Sequence, residues 1–287
     1  MVRSLETAEH EGACVKIFVT GATGTVGRHV VDSLLDQKVE VRALTRRPET
    51  AGLPSGVDVV AGDLEKPDAL AEHFEGIDRL YLVVAGETQK VVDLAKQAGV
   101  QRIVLLSSAS AAFEGDPTGG FHRAAELVVE NSGVGWAHVR PGMFAGNLSD
   151  WAEAIRTEAV VRAPYDAARQ APVHEADVAE VAAAALVAAD EGKIYTVTGP
   201  ESLTKSEQVR ALSEGVGREI QFEELTPDQW RAHVRDQMPE FVIDWLLGLW
   251  AKTVDNPEQV LPTVQEVLGR PARTLVQWAA DHRDEFR

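Results

Sequence analysis

The feature that most constrains this chain is the segment Gly21-Ala22-Thr23-Gly24-Thr25-Val26-Gly27, because of what flanks it. Before it, Val15-Lys16-Ile17-Phe18-Val19-Thr20 is a short apolar run that stops at glycine, as a buried strand does. After it, Val26, Val30, Val31, Leu34 and Leu35 recur at helical spacing. A strand, a Gly-x-x-Gly-x-x-Gly turn and an amphipathic helix together form a phosphate site. Gly21 permits a tight turn off the strand, Gly24 lets the backbone approach a pyrophosphate, and Gly27 lets the helix pack closely. The helix N-terminus then directs free N–H groups and the positive end of its dipole at the phosphates. Gly21, Thr23, Gly24, Thr25, Val26 and Gly27 are therefore the expected cradle of a nicotinamide dinucleotide, with hydroxyl donors from Thr23 and Thr25.

The rest of the first half repeats the strand–helix rhythm. Strands are expected at Val39–Leu44, Val57–Ala61, Arg79–Val84, Ile103–Ser107 and Trp136–Val139. Helices are expected at Asp68–Phe74, Thr88–Ala98 and Phe121–Glu130. Such alternation predicts an α/β fold, a Rossmann-like doubly wound parallel sheet. Its ligands bind beyond the carboxyl ends of the strands, at the switch in strand order. After about residue 145 helical segments dominate, apart from a strand-like run at Ile194–Thr198. The expected division is a tail over 1–13, a dinucleotide-binding domain over 14–145 with returning segments from about 172–200, and a small, mostly helical substrate lobe over 146–287. Five of the six tryptophans lie beyond residue 150 and are expected to pack that lobe.

The strand-end residues refine the cofactor. An NAD site usually places Asp or Glu about 20 residues beyond the loop to hold the ribose hydroxyl. Here Thr45-Arg46-Arg47-Pro48 stands at the end of the second strand. A guanidinium fork suits a 2′-phosphate, so Arg46 and Arg47 point to NADPH over NAD, with Arg28 a further candidate. Asp63 after the third strand suits the adenine amino group with Leu64 on the ring, or else caps the helix ahead. Val84, Ala85 and Gly86 are small enough for backbone to lie under the adenosine ribose and phosphate.

The net charge of −17, from 28 Lys+Arg against 45 Asp+Glu, argues against nucleic acid and anionic lipid as partners. The single cysteine, Cys14, forms no intrachain disulfide. No apolar stretch reaches the roughly 18–20 residues of a membrane span, and Met1–Gly12 has no apolar leader core, so a cytoplasmic protein is expected. Val178–Ala189 reads instead as a buried Ala-rich helix. No metal site is expected.

These pieces together resemble the NmrA-like branch of the atypical short-chain dehydrogenase/reductase superfamily, over nearly the whole chain. The resemblance rests on Thr20–Gly27, Arg46-Arg47-Pro48, Gly62-Asp63-Leu64, Leu106-Ser107-Ser108, His122-x-x-x-Glu126, Arg140-Pro141-Gly142-Met143-Phe144, Pro172–Ala179, Thr198-Gly199-Pro200 and Leu268-Gly269-Arg270-Pro271. It implies a substrate cleft between the two parts of the fold. Pro141, Gly142, Met143 and Phe144 would flank the nicotinamide, and Phe144 and His174 would line the cleft. Known members of the branch include NADPH-dependent quinone and azo-dye reductases and regulators that bind dinucleotide without turnover.

One departure shapes the chemistry. The Tyr-x-x-x-Lys pair of typical short-chain dehydrogenases is missing: none of Tyr81, Tyr165 and Tyr195 has Lys four residues later. His122 is the candidate acid, with Glu126 one turn on to orient it. Ser107 and Ser108 follow the fifth strand, where a hydroxyl binds a substrate carbonyl in the superfamily or simply caps the strand end. Asp177 is expected to cap the helix it begins. The reading is an NADPH-dependent oxidoreductase passing hydride to a conjugated small molecule, quinone-like or an unsaturated aromatic metabolite, as a monomer or homodimer. An NADP(H)-sensing regulator, or a cyclase or isomerase without net redox, are the alternatives.

Overall fold

The computed structural model describes residues 15–113 and 117–287; Cys14 and the expected tail over 1–13 lie outside the described residues. In chain order the elements are β1 (Lys16–Val19), α1 (Thr25–Asp36), β2 (Glu40–Thr45), β3 (Asp58–Ala61), β4 (Arg79–Val83), α2 (Thr88–Gln97), β5 (Arg102–Leu106), α3 (Pro117–Glu130) and β6 (Gly135–Pro141). There follow α4 (Ala152–Glu158), β7 (Val160–Ala163), α5 (Glu175–Val187), β8 (Lys193–Val197), α6 (Lys205–Val216), β9 (Gln221–Glu224), α7 (Pro227–Val234), α8 (Glu240–Asp255), α9 (Thr263–Leu268) and α10 (Leu275–Asp281). The expected helix over 68–74 is a 3₁₀ stretch, Pro67–Phe74.

Seven strands form one parallel sheet in the order β3-β2-β1-β4-β5-β6-β8. The order reverses between β1 and β4, so the chain crosses to the other side of the sheet there. Ile17, Val19, Tyr81 and Val104 face α1 and α5 on one side, while Phe18, Leu80, Leu82 and Leu105 face α2 and α3 on the other. Parallel strands buried on both faces read as continuous apolar runs, which is why the sequence marks them well.

The Ala-rich segment is α5, buried along nearly its whole length. Alanine has the highest helix propensity and the smallest cross-section of the apolar residues, so α5 lies close against α1 and the sheet. Its C-terminal carbonyls would be orphaned inside the protein. Two strand-start arginines satisfy them: Arg102 Nε donates to Ala185 O at 2.7 Å, and the Arg79 guanidinium donates to Leu186 O.

The later half is not wholly helical. β7 and β9 pair as a separate two-stranded parallel sheet, Val160–Ala163 against Gln221–Glu224. Each strand is only four residues long, too short for a period-2 pattern to stand out. Around them α6 and α10 bury Ile155, Val161, Leu212 and Trp278. Threonine capping boxes start α6, α7 and α10 at Thr204, Thr226 and Thr274. α9 packs on α5, so residues 263–268 belong with the sheet layer.

Asp177 does not cap α5. The cap is His174, whose Nδ1 accepts from Ala176 N at 3.1 Å. Asp177 is fully buried one turn later and accepts from Arg273 N at 2.6 Å and Arg270 Nη2 at 2.8 Å, as well as from the Arg273 guanidinium. With Glu180 it ties α5 to the segment ahead of α10. No helix among the described residues is long and apolar enough to cross a membrane.

Candidate active site

Two parts of the site lie at the carboxyl ends of the sheet. The first is the glycine loop. Gly21 adopts φ +61°, and a Cβ there would meet Val83 at 3.1 Å. A Cβ on Gly27 would come within 2.1 Å of Gly21 O, which only glycine avoids. The loop is thus closed on the first turn of α1 by backbone against backbone. Gly24 is the N-cap, no side chain caps the helix, and no acidic residue sits in its first turn. Thr23, Gly24 and Thr25 are exposed. An uncapped helix start with three exposed small residues fits a pyrophosphate.

Across the switch point, Gly86 has φ +60°, and a Cβ there would lie 2.1 Å from Leu64 O. The loops after β3 and β4 therefore touch through their main chains. Leu64 buries its side chain with Leu44, Leu70 and Leu82. Asp63 caps no helix: its Oδ1 accepts from Glu65 N at 3.1 Å in a local turn. Arg46 and Arg47 are exposed at the end of β2, with no side-chain partner among the described residues. Arg28 is committed elsewhere, donating to Gly52 O at 2.9 Å and Ala51 O at 3.1 Å.

The second part is a cavity of about 260 Å³ lined by Val83, Val84, Leu106, Ser107, Ser108, His122, Pro141, Gly142 and Phe144. The ends of β4, β5 and β6 and one turn of α3 converge there. Among the described residues His122 is its one titratable lining residue, and no phenol or ammonium lines it. Burial pushes the His122 ring below the usual histidine value, against the pull of the Glu126 charge. Its Nδ1 is buried without a partner. Near neutral pH the ring is therefore neutral, a hydrogen-bonding group more than a reservoir of protons.

Glu126 does not orient His122. It is fully buried and accepts four hydrogen bonds: from Ser107 Oγ at 2.7 Å, Arg140 Nε at 2.7 Å, Arg140 Nη2 at 2.6 Å and Arg123 Nη1 at 3.0 Å. Burial pushes its pKa up, but Arg140 and Ser107 outweigh this and hold it at about 2. The Ser107 hydroxyl is thus spent on Glu126. Ser108 Oγ accepts from Ser110 N at 3.2 Å and from Ser110 Oγ at 2.9 Å, which leaves its own proton to give. Glu126, Glu130 and His138 have donor atoms within 4.8 Å of one another, but Arg123 and Arg140 already compensate the two carboxylates.

His174 stands apart from this cavity. It is buried, with Nε2 at 3.4 Å from Asp281 Oδ2, and its ring lies near His282. Met143 packs on the core of the later half, and Phe144 pairs through its backbone with Val173. The sequence reading missed Arg123 and Arg140. The signal was available: Arg123 lies three residues before Glu126 on one helix face, and Arg140 directly precedes the Pro141-Gly142 floor.

Sheet, switch point and loop define a dinucleotide-binding α/β protein with a small apolar cavity beside the cofactor end. Residues 21–189 match the NAD(P)H-binding family model. The chain is 40% identical over 281 residues to a (4-alkanoyl-5-oxo-2,5-dihydrofuran-3-yl)methyl phosphate reductase of Streptomyces griseus, covering 94% of this chain and 99% of that one. It is 33% identical over 282 residues to an NAD(P)H azoreductase of Xenophilus azovorans, covering 94% and 99%. The NADPH-dependent quinone oxidoreductase of Escherichia coli, solved with NADPH, superposes with a TM-score of 0.78 at 24% identity, covering 93% of this chain and 99% of that one. The chain belongs to the NAD(P)H-binding family and is an NAD(P)H-dependent oxidoreductase.

Proposed function

We propose that the chain reduces a carbon–carbon double bond conjugated to two carbonyl groups, using NADPH, and that the cavity beside His122 receives the acceptor. The observation that carries this reading is a reductase cavity whose one titratable lining residue, among the described residues, is a neutral histidine. Reduction of an isolated ketone builds charge on one oxygen and calls for a positioned acid. The ring named for the Streptomyces griseus relative needs less help. Its C3=C4 bond is conjugated to both the lactone and the alkanoyl carbonyl. Hydride addition at C3 leaves the electron pair spread over two oxygens, and C4 then takes one proton from water, directly or relayed through the His122 ring.

NADPH, when bound, supplies the hydride. The chain's own groups hold and shape. The Gly21–Gly27 loop and the start of α1 hold the pyrophosphate, with Asp63, Leu64 and Val84–Gly86 around the adenosine. Pro141, Gly142 and Phe144 form the floor against which the acceptor stacks. Ser108 offers its hydroxyl to the developing enolate oxygen. Arg46, with Arg47 beside it, holds the 2′-phosphate that distinguishes NADPH from NADH. The enzyme acts on a small molecule in the cytoplasm, as a monomer or homodimer.

The test is a purified protein with NADPH and a 3-acylbutenolide. We expect NADPH oxidation and a saturated product carrying deuterium from labelled NADPH at the carbon β to both carbonyls. Oxidation of NADPH by quinones alone, with no turnover of any doubly activated alkene, overturns the reading. Arg46→Glu is expected to lower the NADPH-over-NADH preference by about 10–100-fold, as loss of a charge-assisted pair does. An unchanged ratio of kcat/KM values removes Arg46 from that role.

A further inference from the structure

Outside the cofactor loop, the most heavily bonded side chain near the cavity is one that does not line it. Glu126 faces away from the open space, yet its four hydrogen bonds reach both walls. Ser107 is a lining residue at the end of β5, and Arg140 is joined through the main chain to Pro141 and Gly142 at the end of β6. A carboxylate that accepts from both strands fixes the spacing of their ends. It also commits the Ser107 proton, so that this hydroxyl is not a donor to the acceptor, in contrast to Ser108.

The same carboxylate lies one helical turn from His122 on α3. Among the described residues, the charged group that acts on that ring is Glu126, which itself is paired with Arg123 on α3 and Arg140 on β6. Val83 and Val84 from β4 and Leu106 to Ser108 from β5 bring no charge. Burial lowers the pKa of the ring, and the Glu126 charge works against that.

We propose that Glu126 is a positioning residue for the reduction: it sets the Ser107 hydroxyl and the Pro141–Gly142 floor in place, one helical turn along α3 from His122. This rests on the reductase reading above. Its parts are separable, because the effect on His122 is readable without turnover.

The experiment uses full-length protein with NADPH and follows two quantities, steady-state kinetics and the His122 titration by NMR. Glu126→Gln keeps the side-chain shape and removes the charge. We expect kcat to fall at least about 10-fold with the KM for NADPH changed less than about 2-fold, since the glycine loop is untouched. We expect the His122 titration to move to lower pH by at least about half a unit. Glu126→Asp keeps the charge, so it should restore most of the titration shift and part of kcat. It also serves if the amide variant fails to fold. A variant that folds, titrates His122 as the wild type does and retains kcat overturns the proposal. Absence of turnover with every conjugated acceptor, alongside a shifted His122 titration, overturns the reductase substrate and leaves the positioning by Glu126 standing.

Discussion

The molecule buries two carboxylates on arginine pairs, and they lie on opposite sides of the sheet. Glu126 on α3 sits behind the cavity with Arg140 and Arg123. Asp177 on α5 sits at the junction with the later half, with Arg270 and Arg273. Both are fully buried. The difference lies in what the arginines are attached to. Arg140 belongs to the strand that carries the cavity floor, whereas Arg270 and Arg273 belong to the segment leading into α10. The same pairing therefore fixes a site in one place and an assembly in the other. Burying an ion pair yields little net stability over an apolar contact, but removing one partner is costly because the other charge is left unpaired.

Breaking the assembly pair is expected to have the largest effect on stability. Asp177→Asn leaves two guanidiniums with only Glu180 to compensate them and weakens the bond from Arg273 N. A loss of about 3–5 kcal/mol in unfolding free energy is expected, measured by urea denaturation. NADPH affinity of the folded fraction should stay within about 2-fold, because no cradle residue contacts Asp177. A large loss of affinity with full stability would erase the distinction between the two pairs.

Acid separates them next. Glu126 is held at about 2, below its ordinary value of 4.5. A carboxylate depressed in the folded state contributes its stability fully above about 4.5 and loses it as pH falls towards 2. The shift corresponds to about 3 kcal/mol. The stability gap between wild type and Glu126→Gln should therefore be constant from neutral pH down to about 5 and narrow below that. A gap that does not change with pH would mean that the carboxylate is not held in its charged form.

These differences bear on what the residues announce in sequence. The sheet was legible because its central strands are buried on both faces, and the glycine loop because backbone contacts of 2.1 Å leave no alternative to Gly27. Asp177 was read as a helix cap because an acidic residue near a helix start usually is one; its partners lie more than ninety residues away, where no local pattern reaches. Glu126 was placed beside His122 by helical spacing alone. Spacing along α3 cannot show that Arg140, on a neighbouring strand, competes for the same carboxylate and wins with two charge-assisted bonds. β7 and β9 were missed because four-residue strands carry too few alternations to register.

The smallest change sharpens the comparison most finely. Ser107→Ala removes one neutral donor from Glu126 and leaves both arginines in place. A hydrogen bond to a charged group contributes about 1.5–3 kcal/mol, but the carboxylate here stays paired, so a loss near about 1.5 kcal/mol is expected. The cost should be present above pH 5 and shrink on acidification, because only the charged carboxylate draws that donor strongly. Asp177 has no neutral side-chain donor: its partners are two guanidiniums and a backbone N–H. If Ser107→Ala instead matched Asp177→Asn in size, the hydroxyl would be holding the two strand ends together by itself, and Arg140 would be the accessory partner.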